Sequence, residues 1–200
     1  MIPKKIHYCW FGGNPLPETV QRCINSWRKF CPDYEIIEWN ESNYNIHKIP
    51  FIAEAYDAKK YAFVSDYARL DIIYNEGGVY LDTDVELIRS LDTLLSNNSF
   101  IGMEFAGEVN TGLGFGAEKH HKFIKENMEI YNNLKFDAKQ IVTCVEITTS
   151  LLKKYGLTSK NIIQDVAGLT IYPTEYFCPY NMETRKTLIT DNTYSIHHYD

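Results

Sequence analysis

Asp82 and Asp84 stand two residues apart, directly after the apolar run Val79-Tyr80-Leu81. Carboxylates at that spacing on a strand end can turn to the same side, so both can reach one divalent cation, directly or through water. A cation held there can bridge a diphosphate and stabilise the charge that develops when the bond to it breaks. The pair alone is weak, because a D-x-D arises by chance in about every second protein of this length and then reads as two solvated turn carboxylates. One helix upstream, Asp66 and Arg69 lie at i, i+3 on one helical face and can act together on a ligand. Taken alone they are an ordinary surface pair worth a few tenths of a kcal/mol. Trp10 sits in the apolar run Ile6 to Phe11 and reads either as core packing or as a flat face for another ring.

The elements that must position these groups are legible in outline. Ile6 to Phe11 reads as a buried first strand closed by Gly12-Gly13. Val20, Cys23, Ile24, Trp27 and Phe30 then recur at helical spacing after Pro15 and Pro17, up to Pro32. Tyr34 to Trp39 is rich in aromatic and branched residues, completing a β-α-β start that predicts parallel pairing. Phe51 to Glu76 reads as one helix ended by Gly77-Gly78, and Val79 to Leu81 as a short strand that delivers Asp82 at its carboxyl end, where open α/β sheets bind ligands. Farther on, Phe100 to Phe105 and Gly112 to Gly116 read as strand pieces, Lys119 to Asn132 and Val145 to Tyr155 as helices, and Val166 to Tyr172 and Tyr194 to His198 as late strands.

Two hundred residues, 44% hydrophobic and 23% charged, suit one domain, residues 1–200, with a core and one site. A formal net charge of −6 argues against a general nucleic-acid binder. The five cysteines, Cys9, Cys23, Cys31, Cys144 and Cys178, form no CxxC pair and have no zinc-like spacing. They read as free thiols of a reducing compartment. No stretch reads as a signal peptide or approaches the roughly 18 apolar residues that span a bilayer. The expected location is the cytoplasm, and peripheral attachment at the inner face of the membrane is compatible with it.

Ser65-Asp66-x-x-Arg69 followed by Gly77-Gly78-x-Tyr80-x-Asp82-x-Asp84 resembles the signature of the DXD-containing sugar transferases of glycosyltransferase family 32. The likeness extends to the opening segment Ile2 to Gly13 and to Ser26-Trp27-x-x-x-Cys31-Pro32-Asp33-Tyr34. That family is similar in fold to the glucosylating domains of large clostridial toxins. The resemblance implies a GT-A-like α/β domain with a mostly parallel central sheet flanked by helices. It implies a retaining, metal-dependent glycosyltransferase that moves a hexosyl group from a nucleotide diphosphate sugar, UDP-linked in the first instance, to a saccharide acceptor, as in polysaccharide synthesis. Trp10 would stack on the base, Ser65 would touch the nucleotide side, and Asp66 and Arg69 would hold donor-sugar hydroxyls. Tyr80, Asp82 and Asn110 complete the expected donor site, with Asp66, Arg69 and Asp84 as the catalytic set. Asp82, Asp84 and His198 would hold the metal, Mn2+ ahead of Mg2+ because manganese accepts an imidazole whereas a hydrated magnesium ion prefers oxygen. Two departures stand out. Thr143-Cys144-Val145 replaces a common Gly-Pro, and the sequence stops at Asp200 ahead of a frequent Gly-Ser-Trp, which reads as a domain cut short before a cap over the diphosphate.

Two other readings stay open at this level. A haloacid-dehalogenase-like phosphohydrolase also carries an Asp-x-Asp after a strand, but Glu86 and the upstream helix pattern do not suit it, and its first Asp must attack phosphorus. A catalytically silent sugar- or protein-binding module would keep the scaffold without the chemistry. The transferase reading predicts that removing the Asp84 carboxylate abolishes metal-dependent nucleotide-sugar binding and leaves the fold intact.

Overall fold

A pair of glycines decides where the helix carrying Asp66 and Arg69 stops. In the computed structural model, which describes residues 1–181 and 184–199, Gly77 and Gly78 take φ of 65° and 109°, a region that favours glycine. A Cβ at Gly78 would also meet the Lys5 carbonyl at 2.9 Å. The chain therefore turns from helix into strand within two residues, and a strand three residues long sets Asp82 just beyond the sheet.

That sheet begins with β1 (Lys5–Cys9), α1 (Glu18–Phe30) and β2 (Glu35–Trp39), and β1 and β2 pair in parallel as the β-α-β pattern requires. The apolar stripe of α1 is buried, with Trp27 giving its indole N–H to the Val85 carbonyl at 2.7 Å. The expected single helix over 51–76 is two: α2 (Pro50–Asp57) and α3 (Tyr61–Glu76). Lys59 takes φ of 57° between them, a left-handed break that neither glycine nor proline announces. Helix α3 is packed on nearly all sides, burying Val64, Leu70 and Ile73 along with Asp66, Arg69 and Asp71.

β3 (Gly78–Tyr80) pairs in parallel with β1, and β4 (Val85–Leu87) leaves the main sheet after the Asp82-Thr83-Asp84 turn. β5 (Ser99–Phe105), β6 (Glu108–Val109) and β7 (Phe115–Ala117) follow, then α4 (Lys122–Asn132) and α5 (Cys144–Lys154), the latter opened by a Thr143–Glu146 capping box. The strand expected over 166–172 is a tight hairpin of β8 (Gln164–Val166) and β9 (Leu169–Tyr172), turned at Ala167 and Gly168 with φ of 54° and 81°. Two positive φ values in a two-residue loop are what hairpin twist demands. α6 (Thr174–Phe177), a small pair of strands β10 (Tyr180–Asn181) and β11 (Lys186–Thr187), and β12 (Ser195–His197) complete the described chain.

The sheet order is β2-β1-β3-β7-β5-β9-β8, with β6 on β5. β2, β1, β3, β5 and β9 run the same way while β7 and β8 are reversed, so the central sheet is mostly parallel in direction. Its helices lie on both faces, and the carboxyl ends of its parallel strands share one edge. A separate antiparallel pair, β12 on β4, lies beside that edge.

One buried histidine ties the glycine turn to β1. His7 is fully buried, its Nε2 sits 2.9 Å from the Gly77 carbonyl, and the Trp39 indole N–H donates to Nδ1 at 3.1 Å. Nδ1 must accept, so the ring is neutral with its proton on Nε2. Burial pushes its pKa down to about 4. The unfolded chain then binds more protons than the folded one between about 4 and about 6.5, so this contribution to stability is lost as pH falls through that window, up to about 3 kcal/mol. Nitrogen NMR is expected to show an unprotonated His7 Nδ1 from pH 7 down to pH 5. A ring that takes up a proton above pH 6 would contradict this arrangement.

Candidate active site

Asp82 leaves β3 with its backbone fixed on both sides: its N–H donates to the Gly112 carbonyl at 2.9 Å, and its carbonyl accepts from Val85 at 3.0 Å. The turn opens on a cleft of about 420 Å3 whose walls include Trp10, Tyr61, Ser65 and Arg69, with Asp82 and Asp84 at its rim and Tyr80 beneath. Trp10 is half-buried, and its indole N–H is already given to the Asn14 carbonyl at 2.6 Å. What it offers the cleft is a ring face.

Arg69 organises the floor. It is 3% exposed, and its guanidinium lies 4.9 Å from the centre of the Tyr80 ring. Nε donates to the Ser65 carbonyl at 3.0 Å, Nη2 to Asp82 Oδ1 at 3.0 Å and Asp66 Oδ1 at 3.2 Å, and Nη1 to Thr111 Oγ1 at 3.3 Å and Asp82 Oδ2 at 3.4 Å. The fork of Arg69 is thus filled by its neighbours, and it orients Asp82 with both oxygens toward itself. One cation serves two carboxylates. Asp66 is the more enclosed of the two and its pKa rises to about 6, from burial first, with Arg69 pulling it down and Asp82 pushing it up. The arginine is held above its already high value by Asp82, Tyr80 and Asp66 against the cost of burial.

The expected residues do not all converge. Trp10, Ser65, Arg69, Tyr80, Asp82 and Asp84 share the cleft. Asp66 is buried behind Arg69 rather than lining it. Asn110 turns its Oδ1 to the Gly112 N–H at 2.7 Å, bracing the loop that carries Gly112 and Thr111.

His198 is a correction. β12 pairs with β4 so that His197 stands opposite Val85, and His197 Nε2 lies 3.1 Å from Asp84 Oδ2. His198 points to the other side, onto Glu86 at 2.8 Å, and approaches Asp84 only through its backbone N–H. A one-residue offset moves a side chain to the opposite face of a strand, and nothing in adjacent histidines fixes that offset. The Asp84 carboxylate raises the His197 pKa to about 10 against the opposing effect of burial, so a proton occupies the position between imidazole and carboxylate.

Residue type alone does not mark Gly112 and Thr111, yet a side chain at Gly112 would displace the Asp82 carboxylate: a Cβ there would stand 1.8 Å from Asp82 Oδ2 and 3.0 Å from Arg69 Nη1. Cys144, where a Gly-Pro was expected, lies with its thiol 4.0 Å from Arg69 Nη1.

The donor set fits a hard divalent cation held partly by a ligand. Among the described residues no three His, Cys, Asp or Glu side chains close a cage, since Asp82 faces Arg69 and Asp84 faces His197. Mg2+ and Mn2+ sites of nucleotide enzymes commonly use one or two carboxylates, with phosphate oxygens and water supplying the rest. For His197 and Asp84 to hold such a cation, the proton they share would have to leave.

A family model described as the glycosyltransferase sugar-binding region containing the DXD motif matches residues 17–101, which span Ser65 through Asp84 but leave out Trp10, Asn110 and His197. Inositol phosphoceramide mannosyltransferase 1 of Schizosaccharomyces pombe is 32% identical over 149 residues, covering 68% of this chain and 44% of its own. Mannosyltransferase 3 of that name from the same yeast is 32% identical over 138 residues, covering 66% and 37%. The chain therefore spans less than half the length of these relatives. Among solved structures, the PaToxG glycosyltransferase superposes with a TM-score of 0.63 at 18% identity, over 76% of this chain and 69% of that one. The galactosyltransferase LgtC, in complex with donor and acceptor sugar analogs, gives 0.53 at 13% identity, over 98% and 87%. At such identities the likeness is one of fold, and the fold is GT-A.

Proposed function

We infer that this chain, which belongs to the glycosyltransferases whose sugar-binding region contains the DXD motif, moves a hexosyl group from a nucleotide diphosphate sugar to a saccharide acceptor with retention of configuration. The observation that carries this is the single cleft shared by the Trp10 ring, the Arg69–Asp82 pair and Asp84. A base laid on Trp10 directs its diphosphate toward the acidic turn. Asp82, Asp84 and His197 would hold a divalent ion, Mn2+ first and Mg2+ second, which when bound offsets the charge of the departing diphosphate.

The chain's own groups do the rest. Arg69 keeps Asp82 in one rotamer, Gly112 leaves room for it, and Asp66 holds Arg69 in place from behind. Asp82 and Asp84 are the carboxylates lining the cleft among the described residues, and both are engaged. That supports attack by the acceptor hydroxyl on the face of the leaving group, with orientation supplying the catalysis. The same engagement weighs against a phosphohydrolase, whose first Asp must be free to attack. Mannose is the first hexose to test, from the names of the fission-yeast relatives, with UDP-linked donors beside it. The five free thiols suit a reducing, cytoplasmic setting, and no helix of the described residues is long and apolar enough to cross a membrane.

Thermal unfolding with UDP-glucose, UDP-galactose and GDP-mannose, each with and without Mn2+, tests the reading. One donor at a hundred times its Kd is expected to add about 2.7 kcal/mol, roughly 5–10 °C, only with metal, and to be hydrolysed slowly. Silence across the panel, or equal shifts without metal, sinks it and leaves the binding-module alternative.

A further inference from the structure

The topology opens two cavities along one sheet edge. Trp10 follows β1 and Asp82 follows β3, while Glu104 and Phe105 end β5 and Thr174 follows β9. All four strands run the same way, so all four sets of side chains emerge where open α/β sheets bind ligands. The donor cleft uses β1 and β3. Over β5 and β9 lies a second cavity of about 530 Å3, bordered by Glu104, Phe105, Asn161, Glu175, Cys178 and Tyr180, a size suited to a small ligand.

The two are joined by a stack of side chains. Asp84 lines the cleft and meets His197 at 3.1 Å, the His197 and Tyr199 ring centres are 4.0 Å apart, and the Tyr199 hydroxyl is 3.1 Å from the Cys178 thiol, which borders the second cavity. The lining has the chemistry of sugar recognition: carboxylates and amides to exchange hydrogen bonds with hydroxyls, and an aromatic side chain against which a pyranose can lie. Among the described residues of that lining none is basic, and two carboxylates with no cation repel a phosphate or carboxylate.

We propose that the cavity over β5 and β9 is the acceptor site, that it takes a neutral saccharide, and that Glu104 and Tyr180 are its principal contacts. This rests on the transferase reading above and adds the place and charge class of the acceptor. The probes are methyl α-mannopyranoside, methyl β-galactopyranoside and mannose 6-phosphate, followed by saturation-transfer NMR on the parent chain and on the Glu104→Gln, Tyr180→Ala and Asp84→Asn variants. The neutral hexosides are expected to give signals in the parent and in Asp84→Asn. Those signals should fall about five- to tenfold in the other two, the loss expected for one charged hydrogen bond or one aromatic contact. Mannose 6-phosphate is expected to give none. An unaltered donor thermal shift in Glu104→Gln and Tyr180→Ala shows that their fold and donor cleft are intact. No signal from either neutral hexoside, equal signals in all variants, or preference for the phosphate overturns the proposal. A donor panel that fails while hexoside signals behave as expected counts against the transferase reading instead.

Discussion

Changing Asp84 to asparagine is expected to lower glycosyl transfer about a thousandfold, the scale on which a preorganised charge at the reacting centre acts, and to remove the dependence of nucleotide-sugar binding on Mn2+. The amide is the informative replacement. Asp84 is the partner of His197, whose side chain is 9% exposed, so an alanine would strip an enclosed imidazole of its hydrogen bond as well as remove a ligand. The fold-neutral alanine expected from the sequence thus does not hold for this geometry, whereas asparagine keeps an acceptor in place and removes only the charge. Electron paramagnetic resonance of Mn2+ with a nucleoside diphosphate reads the site without turnover. His197→Ala is expected to weaken Mn2+ about ten- to a hundredfold, while His198→Ala, which loses its partly buried contact with Glu86 on the other side of the strand, stays near the parent. Parent-like transfer by Asp84→Asn, or a larger loss of metal from His198→Ala than from His197→Ala, would overturn this ligand assignment.

Those two histidines show where the sequence stops being legible. The glycine pair, the short strand and the two aspartates form a local pattern, because helix termination and strand ends are decided by neighbouring residues. Their place on the sheet edge follows from chain direction alone. The pairing of β12 with β4 joins segments about 110 residues apart, and its register is set by contacts that no local pattern carries. The same holds for Gly112. Its neighbourhood reads as glycine-rich, yet the reason for a glycine is a carboxylate from another strand standing where its Cβ would be. The break at Lys59 escaped for a different reason, since lysine pays for a left-handed φ only when the helices on either side pack well enough to hold it. Trp10 could be read as core or as site, and it is partly both: it packs beside the apolar cluster around Trp27 and shows a face to the cleft.

Arg69→Met is expected to cost about 3–5 kcal/mol of folding stability, the range for removing one partner of a buried ion cluster, and to abolish donor binding with it. The size follows from what is left behind. Asp66, 8% exposed, would keep a charge with no cation beside it, and Asp82 would lose the fork that holds both of its oxygens. The pH dependence distinguishes this cause from lost packing. In the parent the Asp66 pKa is already up at about 6, so between its ordinary value near 3.9 and about 6 the folded chain binds more protons than the unfolded one. Stability from this group therefore grows as pH falls into that window and is lost above it. Without Arg69, which pulls the carboxyl down, the folded value climbs further, and protonation relieves more of the penalty. The deficit of Arg69→Met relative to the parent should therefore narrow as pH falls from 7 to 5.5 in urea unfolding. The opposing titration of His7 is common to both chains and cancels in the difference. Adding Asp66→Asn to Arg69→Met should recover part of the loss at pH 7 and flatten the pH dependence. A deficit below about 1 kcal/mol, the scale of an exposed pair, or one indifferent to pH, would mean that Arg69 is not the counter-charge on which this floor is built.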